Sequence, residues 1–268
     1  MGGDSSANWF NIIPTLEAGL SFGLSGFQFW SEDIGGFTGN TGGNLLIRWM
    51  QMGLFHSHSR IHGTFKRELY RFNKNVIKIC SDYINLRYQL IPYIYGSAIK
   101  CVKSSLPMTR ALVIEFQDDP NVWNIGDQFL FGDFFLVAPI YRADNSRAIY
   151  FPEGTWIDWW TRDKIKGKQW INIDSDIDKL PLYVREGAII PMGPIMQYID
   201  EFEINEIELY IAPFQRDGKT EFIVPVNNEM IKVEYTALKG EHNIKIEKSK
   251  VKFKIVVMGN EELKINKE

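Results

Sequence analysis

At 268 residues, 45% hydrophobic and 14% aromatic, the chain is long enough to bury one large core or two to three smaller ones. A formal net charge of -3, a pI of about 5.9 and interspersed lysines and glutamates exclude the dense positive surface that a phosphate backbone or an anionic membrane would require. Neither nucleic acid nor membrane is therefore expected as a partner.

No apolar run approaches the roughly 20 residues of a membrane helix. The N-terminal MGGDSSANWF lacks the charged and apolar regions of a signal peptide, which points to the cytoplasm. Cys80 and Cys101 lie in apolar helical sequence without a CxxC pattern, so both are expected to be buried free thiols.

The predicted elements alternate along residues 1 to 104. Asn8 to Leu20 places Ile12, Ile13, Leu16 and Leu20 at helical spacing, with Pro14 tolerated only near the start. Ser25 to Trp30 is a short apolar and aromatic run ending in Ser31-Glu32-Asp33 and Gly35-Gly36, the pattern of a buried strand that delivers a carboxylate at its C-terminal end. Asn44 to Phe55 returns to helical period. Asn75 to Lys103 is the longest helical segment, with Pro92 expected to kink or split it.

After residue 104 the pattern changes to short strands separated by turn signals such as Asp118-Asp119-Pro120 and Arg185-Glu186-Gly187, as in an antiparallel sandwich. Beyond about residue 197, strict alternation in Ile207-Glu208-Leu209-Tyr210-Ile211 and Val251-Lys252-Phe253-Lys254-Ile255 predicts a smaller β-domain with one solvated face.

Three stretches could carry chemistry. In SGFQFWSEDIGGF (25–37) aromatic residues flank carboxylates, which suits a sugar pocket: pyranose C–H faces pack on Trp and Phe, and charged acceptors bind hydroxyls. A core strand followed by a turn is the plainer reading. HSHSRIHG (56–63) gathers three of the four histidines, where His or Arg could donate to sugar hydroxyls. A zinc site competes with that reading, but zinc wants three or four ligands, and alternate histidines on an extended segment face opposite ways. One functional histidine is expected, with the others packed or capping. Gly2-Gly3-Asp4 before a helix offers glycines that admit a ligand and an acid in a strand-to-helix loop, a position that an N-cap would equally occupy.

In this order, Gly2-Gly3-Asp4, SGFQFWSEDIGGF (25–37), RWMQMGL (48–54), HSHSRIHG (56–63), RYQLIPYIY (87–95), PMTRALVIEF (107–116), GDFFLVAP (132–139) and LYVREGAIIP (182–191) resemble glycoside hydrolase family 31. The resemblance implies an α/β plus all-β fold, the C-terminal part of a (β/α)8 TIM barrel followed by two β-sandwich domains. Residues 1–104 would be the last third of the catalytic barrel, 105–196 the proximal β-sandwich and 197–268 the distal one.

The same resemblance assigns roles. Asp4 matches the general acid/base, Asp33 a pocket acid, Trp30 and Phe37 pocket aromatics, and His62 a histidine that hydrogen-bonds the sugar being cleaved. It implies retaining hydrolysis by two carboxylates roughly 5–5.5 Å apart, with no metal or organic cofactor. The attacking aspartate and a transition-state arginine belong to segments upstream of Asp4, and Met1 stands where the family has a pocket tryptophan. The chain therefore reads as a fragment, inactive alone. Its expected partners are an oligosaccharide or small α-glycoside, the N-terminal half of the same enzyme, and a second copy of itself. The motifs lie closer to α-xylosidases than to α-glucosidases of the family, and a non-catalytic carbohydrate-binding remnant is the reading from a different class.

Overall fold

The computed structural model describes residues 2–259 and 265–267. Met1 lies outside them, so the pocket position assigned to it has no structural counterpart here.

Among the described residues up to 104 there are four α-helices and two short parallel strands. Helix α1 (Ile12–Leu24) follows a 3-10 turn capped by Asn8, whose Oδ1 accepts from the Asn11 amide at 3.1 Å. It buries Ile12, Leu16 and Leu20 on one face, as the spacing predicts. Helix α2 (Gly43–Gly53) is buried along most of its length. Helix α3 (Lys74–Gln89) starts at Asn73, which accepts from the Val76 amide at 3.0 Å, and helix α4 (Ile91–Ser104) begins one residue beyond Leu90. Pro92 sits in the first turn of α4, where its missing N–H costs nothing, so the long helical segment is split rather than kinked. Cys80 and Cys101 are free and buried, and burial pushes their thiols up to about 12 and about 11.

Strands β1 (Asp33–Ile34) and β2 (Arg60–Ile61) pair in parallel, Asp33 opposite Arg60. The structure corrects one expectation here: residues 25–30 form no strand. Single long-range bonds satisfy that backbone in place of a ladder. Ser57 Oγ accepts from the Trp30 amide at 2.9 Å and donates to its carbonyl at 2.7 Å, the Met108 amide donates to the Gln28 carbonyl at 2.9 Å, and the Gly2 amide donates to the Ser31 carbonyl at 2.9 Å. Segments 2–6, 28–34 and 57–61 thus lie side by side, and an isolated parallel bridge joins Ser6 to Thr38.

The rest is β-rich. Strands β3 (Thr109–Arg110), β4 (Phe129–Phe131), β5 (Phe135–Val137), β7 (Thr155–Asp158), β8 (Lys164–Lys166) and β10 (Leu182–Arg185) form a sheet in the order β3-β4-β5-β10-β7-β8; α5 (Leu112–Glu115) follows β3. Alternate residues explain why this sheet is apolar on both faces. Leu130, Leu136, Trp156 and Tyr183 pack on Ile149 and Phe151 of the paired strands β6 (Ser146–Phe151) and β9 (Gln169–Asp174). Phe129, Phe131, Phe135, Val137 and Val184 join the core shared with the helices, where Tyr93 donates to the Phe131 carbonyl at 2.7 Å.

Strands β11 (Ile189–Met192), β12 (Glu206–Ile211) and β16 (Lys252–Val257) form a third sheet, and β13 (Gly218–Val226), β14 (Glu229–Leu238), β15 (Glu241–Ile246) and β17 (Ile265–Lys267) a fourth. β11 precedes residue 197 in sequence yet pairs with β12 beyond it. Asn227 and Asn228, both at positive φ, make the two-residue turn between β13 and β14, a conformation asparagine tolerates. Among the described residues, no helix is long and apolar enough to cross a membrane.

Candidate active site

The polar residues singled out in the first third converge at the C-terminal ends of the three parallel segments. This is the end of a parallel α/β layer where loops are free to vary and ligands bind. Asp33 is 3% exposed, and its Oδ1 accepts from Arg60 Nε at 2.6 Å across the β1–β2 pair. The loop after Asp33 turns through Gly35 and Gly36, both at positive φ. Gly36 is required for space as well as conformation: a Cβ there would lie 2.7 Å from Ala7 Cα.

That close approach brings the Asp4 loop onto the Phe37 loop. The Phe37 and Thr38 amides both donate to the Ser5 carbonyl, at 2.7 and 3.0 Å, and the Thr64 amide donates to the Phe37 carbonyl at 2.7 Å. The Phe37 and His62 rings lie 5.5 Å apart. Arg67, itself buried, donates through Nη2 to the carbonyls of Gly36 and Gly39 and holds the loop from behind. Asp4 and His62 are exposed, Phe37 is half-buried, and Asp33 lies beneath them.

Trp30 lies between α1 and the backbone of Gly2. It is buried against α1, where a Cβ on Gly19 would sit 2.4 Å from its Nε1, and its ring lies 5.8 Å from Phe22. It also lies against Gly2, where a Cβ would sit 3.3 Å from its Cζ2. Glu32, the neighbour of Asp33, is also buried, with Oε1 3.5 Å from Nε2 of the fully buried His56. His56 Nδ1 lies 3.1 Å from Thr109 Oγ1, and its ring stacks on Phe129 at 5.3 Å. His58 is exposed beside Ser57, and desolvation together with Arg87 lowers its pKa. The three clustered histidines therefore take three different environments.

Two positioning residues escape motif reading. Arg67 lies beyond the histidine stretch, and nothing local marks it. Arg87 projects from α3 to the carbonyls of Leu54, His56 and Ser57, and burial lowers its guanidinium to about 10. The helical period marks the face of α3 but not this long-range role.

A cavity of about 690 Å3 lies away from Asp4. It runs along β2 and helices α3 and α4, lined mainly by apolar residues including Ile34, Met50, Ile61, Ile84 and Ile94. β2 pairs with β1 on one side and has no second strand partner among the described residues.

Parallel segments covered by helices, carrying carboxylates at their C-terminal ends and followed by mainly antiparallel β-sheets, define part of an α/β-barrel protein with appended β-domains. Residues 1–97 match the glycosyl hydrolases family 31 TIM-barrel domain and residues 105–190 the glycosyl hydrolase family 31 C-terminal domain. The chain belongs to glycoside hydrolase family 31. It is 36% identical to alpha-glucosidase 2 of Bacillus thermoamyloliquefaciens over 83% of its own length and 28% of that protein's. It is 32% identical to an alpha-xylosidase of Saccharolobus solfataricus over 90% of its length and 33% of that protein's. Among solved structures, a Flavobacterium johnsoniae dextranase complexed with glucose superposes with a TM-score of 0.83 at 31% identity, over 90% of this chain and 33% of that one. A Xanthomonas citri alpha-xylosidase gives 0.83 at 28% identity, over 96% and 32%. The chain thus spans about a third of the length of these relatives.

Proposed function

We propose that this chain supplies the acid/base end of a retaining α-glycoside hydrolase, with a terminal α-xyloside as substrate and an α-glucoside as the second reading. The observation that carries the proposal is the joining of the Asp4 loop to the Phe37 loop, with His62 and the Asp33–Arg60 pair beside it. In the first step a carboxylate attacks the anomeric carbon and the bond to the leaving oxygen breaks while Asp4 gives that oxygen its proton. In the second, Asp4 takes a proton from water as the water displaces the carboxylate. His62 and the Asp33–Arg60 pair bind ring hydroxyls, and Phe37 offers a face to the C–H side of the sugar.

The attacking carboxylate belongs to the barrel strands that make up the rest of the relatives' length. The unpaired edge of β2 and the apolar cavity along it support this reading, because a further parallel strand and its helix would cover both. On this reading the 268-residue chain alone does not turn over substrate.

The α-xyloside preference rests on the combination of GGD, SGFQFWSEDIGGF and SHSRIHG with the distal stretch FQRDGKTEFIVP (214–225). The 36% identity to an alpha-glucosidase is the observation favouring the second reading. A chimaera in which residues 2–268 replace the matching portion of the Saccharolobus solfataricus alpha-xylosidase tests both. It should release 4-nitrophenol from the aryl α-xyloside faster than from the aryl α-glucoside, and the reverse order would favour the second reading. In the chimaera, Asp4→Asn should slow substrates with poor leaving groups far more than activated ones. A folded chimaera without turnover on either glycoside would refute the hydrolase role.

A further inference from the structure

The β-rich part carries a second polar groove, far in sequence from the Asp4 loop. A cavity of about 500 Å3 opens between the segment 115–121 and the ends of β6 and β9, lined by Asp118, Asp119, Asn121, Tyr150, Glu153 and Lys168. Its polar groups are already oriented. Tyr150 donates its hydroxyl proton to Asp119 Oδ2, Asn121 Nδ2 donates to Asp119 Oδ1 at 2.9 Å, and Lys168 Nζ pairs with Glu153 at 3.0 Å.

Two exposed tryptophans flank these groups. Trp170 on β9 is directly opposite Tyr150 on β6, so the two side chains share one face of the sheet, their rings 5.2 Å apart. Trp170 nevertheless remains 51% exposed. Trp123 is 58% exposed, and its Nε1 donates at 2.8 Å to the carbonyl of Gln117, which also lines the groove. A Trp whose N–H is tied down while its ring faces water presents a fixed apolar plate, at a cost in hydration that burial elsewhere would have avoided.

We propose that this groove is a carbohydrate-binding surface site that takes a neutral oligosaccharide. Donors and acceptors of both signs sit together, which suits hydroxyl groups that donate and accept at once, and the tryptophan rings supply the apolar faces on which pyranose C–H groups stack. An anionic ligand would meet Glu115, Asp118, Asp119 and Glu153, and the lysine of the lining, Lys168, is already paired with Glu153. The sugar class rests on the hydrolase reading above, whereas the site itself does not use Asp4.

Titration of the 268-residue chain with isomaltotriose, read by indole fluorescence and by saturation-transfer NMR, tests the site. Saturable binding is expected, weakened at least tenfold by Trp170→Ala and by Asp119→Ala. Circular dichroism and the melting temperature establish that each variant is folded; Trp170 is exposed, so its replacement leaves the core intact. Absence of saturable binding would overturn the proposal. So would binding that survives Trp170→Ala and Asp119→Ala but disappears in Asp4→Asn, which would place the sugar at the barrel loops. A chimaera without turnover would remove the hydrolase reading and leave this binding result standing.

Discussion

Arg60 Nε lies 2.6 Å from Oδ1 of Asp33, at the first rung of the parallel β1–β2 pair. The carboxylate is 3% exposed and the arginine side chain 41%, so the pair is formed at the floor of the site with its cation reaching water.

Loss of that partner leaves Asp33 buried and short of a donor. Arg60→Met should cost about 1–3 kcal/mol, the lower part of the range for a buried pair because solvent screens the exposed guanidinium. A double-mutant cycle with Asp33→Asn, read by urea denaturation, should return a coupling of about 1 kcal/mol or more. A coupling near zero would show that the two residues do not depend on each other.

Gly36→Ala should separate the Asp4 and Phe37 loops. Positive φ and a Cβ placed 2.7 Å from Ala7 Cα together cost on the order of 1–3 kcal/mol. Hydrogen exchange at the Phe37 and Thr38 amides, both bonded to Ser5, should accelerate in the variant. Native exchange rates at both amides would mean that the loops join by other contacts.

Arg48 ties α2 to the β-rich part. Fully buried, it donates to Gln51 Oε1 and Asn145 Oδ1 and to the carbonyls of Lys179, Ser175 and Asp176. Arg48→Met would strand several of these acceptors and should cost about 3 kcal/mol or more. Arg48→Lys should recover little, because one ammonium cannot reproduce a planar fork. Equal urea midpoints for the lysine variant and the native chain would contradict this.

Burial lowers the pKa of His242, which sits 2.7 Å from the Tyr235 hydroxyl, and that of His58. With the folded values depressed, the unfolded chain binds more protons once pH falls below about 6.5. The contribution of these histidines is therefore complete above that value, declines as pH falls through their folded values, and then levels off. His242→Gln should reduce the loss of stability between about pH 7 and pH 5, measured by urea midpoints at the two values. An unchanged slope would remove His242 as a source.

Much of the architecture was legible without coordinates because it depends on local chemistry. The apolar spacing of α1, the arrest of α3 before Pro92 and the alternation of β12 and β16 follow from helical and strand periods and from a missing N–H. Residues 25–30 show where this reading stops. Their aromatic run has strand chemistry, yet no continuous neighbour pairs with it, and a strand exists only where another backbone accepts its ladder.

The sequence by itself determined the order of elements, the family and the residue types available for chemistry. Only the tertiary structure decided their directions. It buried Trp30 against α1, set Glu32 beside His56 while Asp33 met Arg60 27 residues away, and left Asp4 and His62 exposed at one end of the parallel segments. Local patterns constrain how often a side chain turns inward. Which carboxylate finds a cation, and which aromatic finds a helix, depends on partners distant in the chain, and those are chosen by packing.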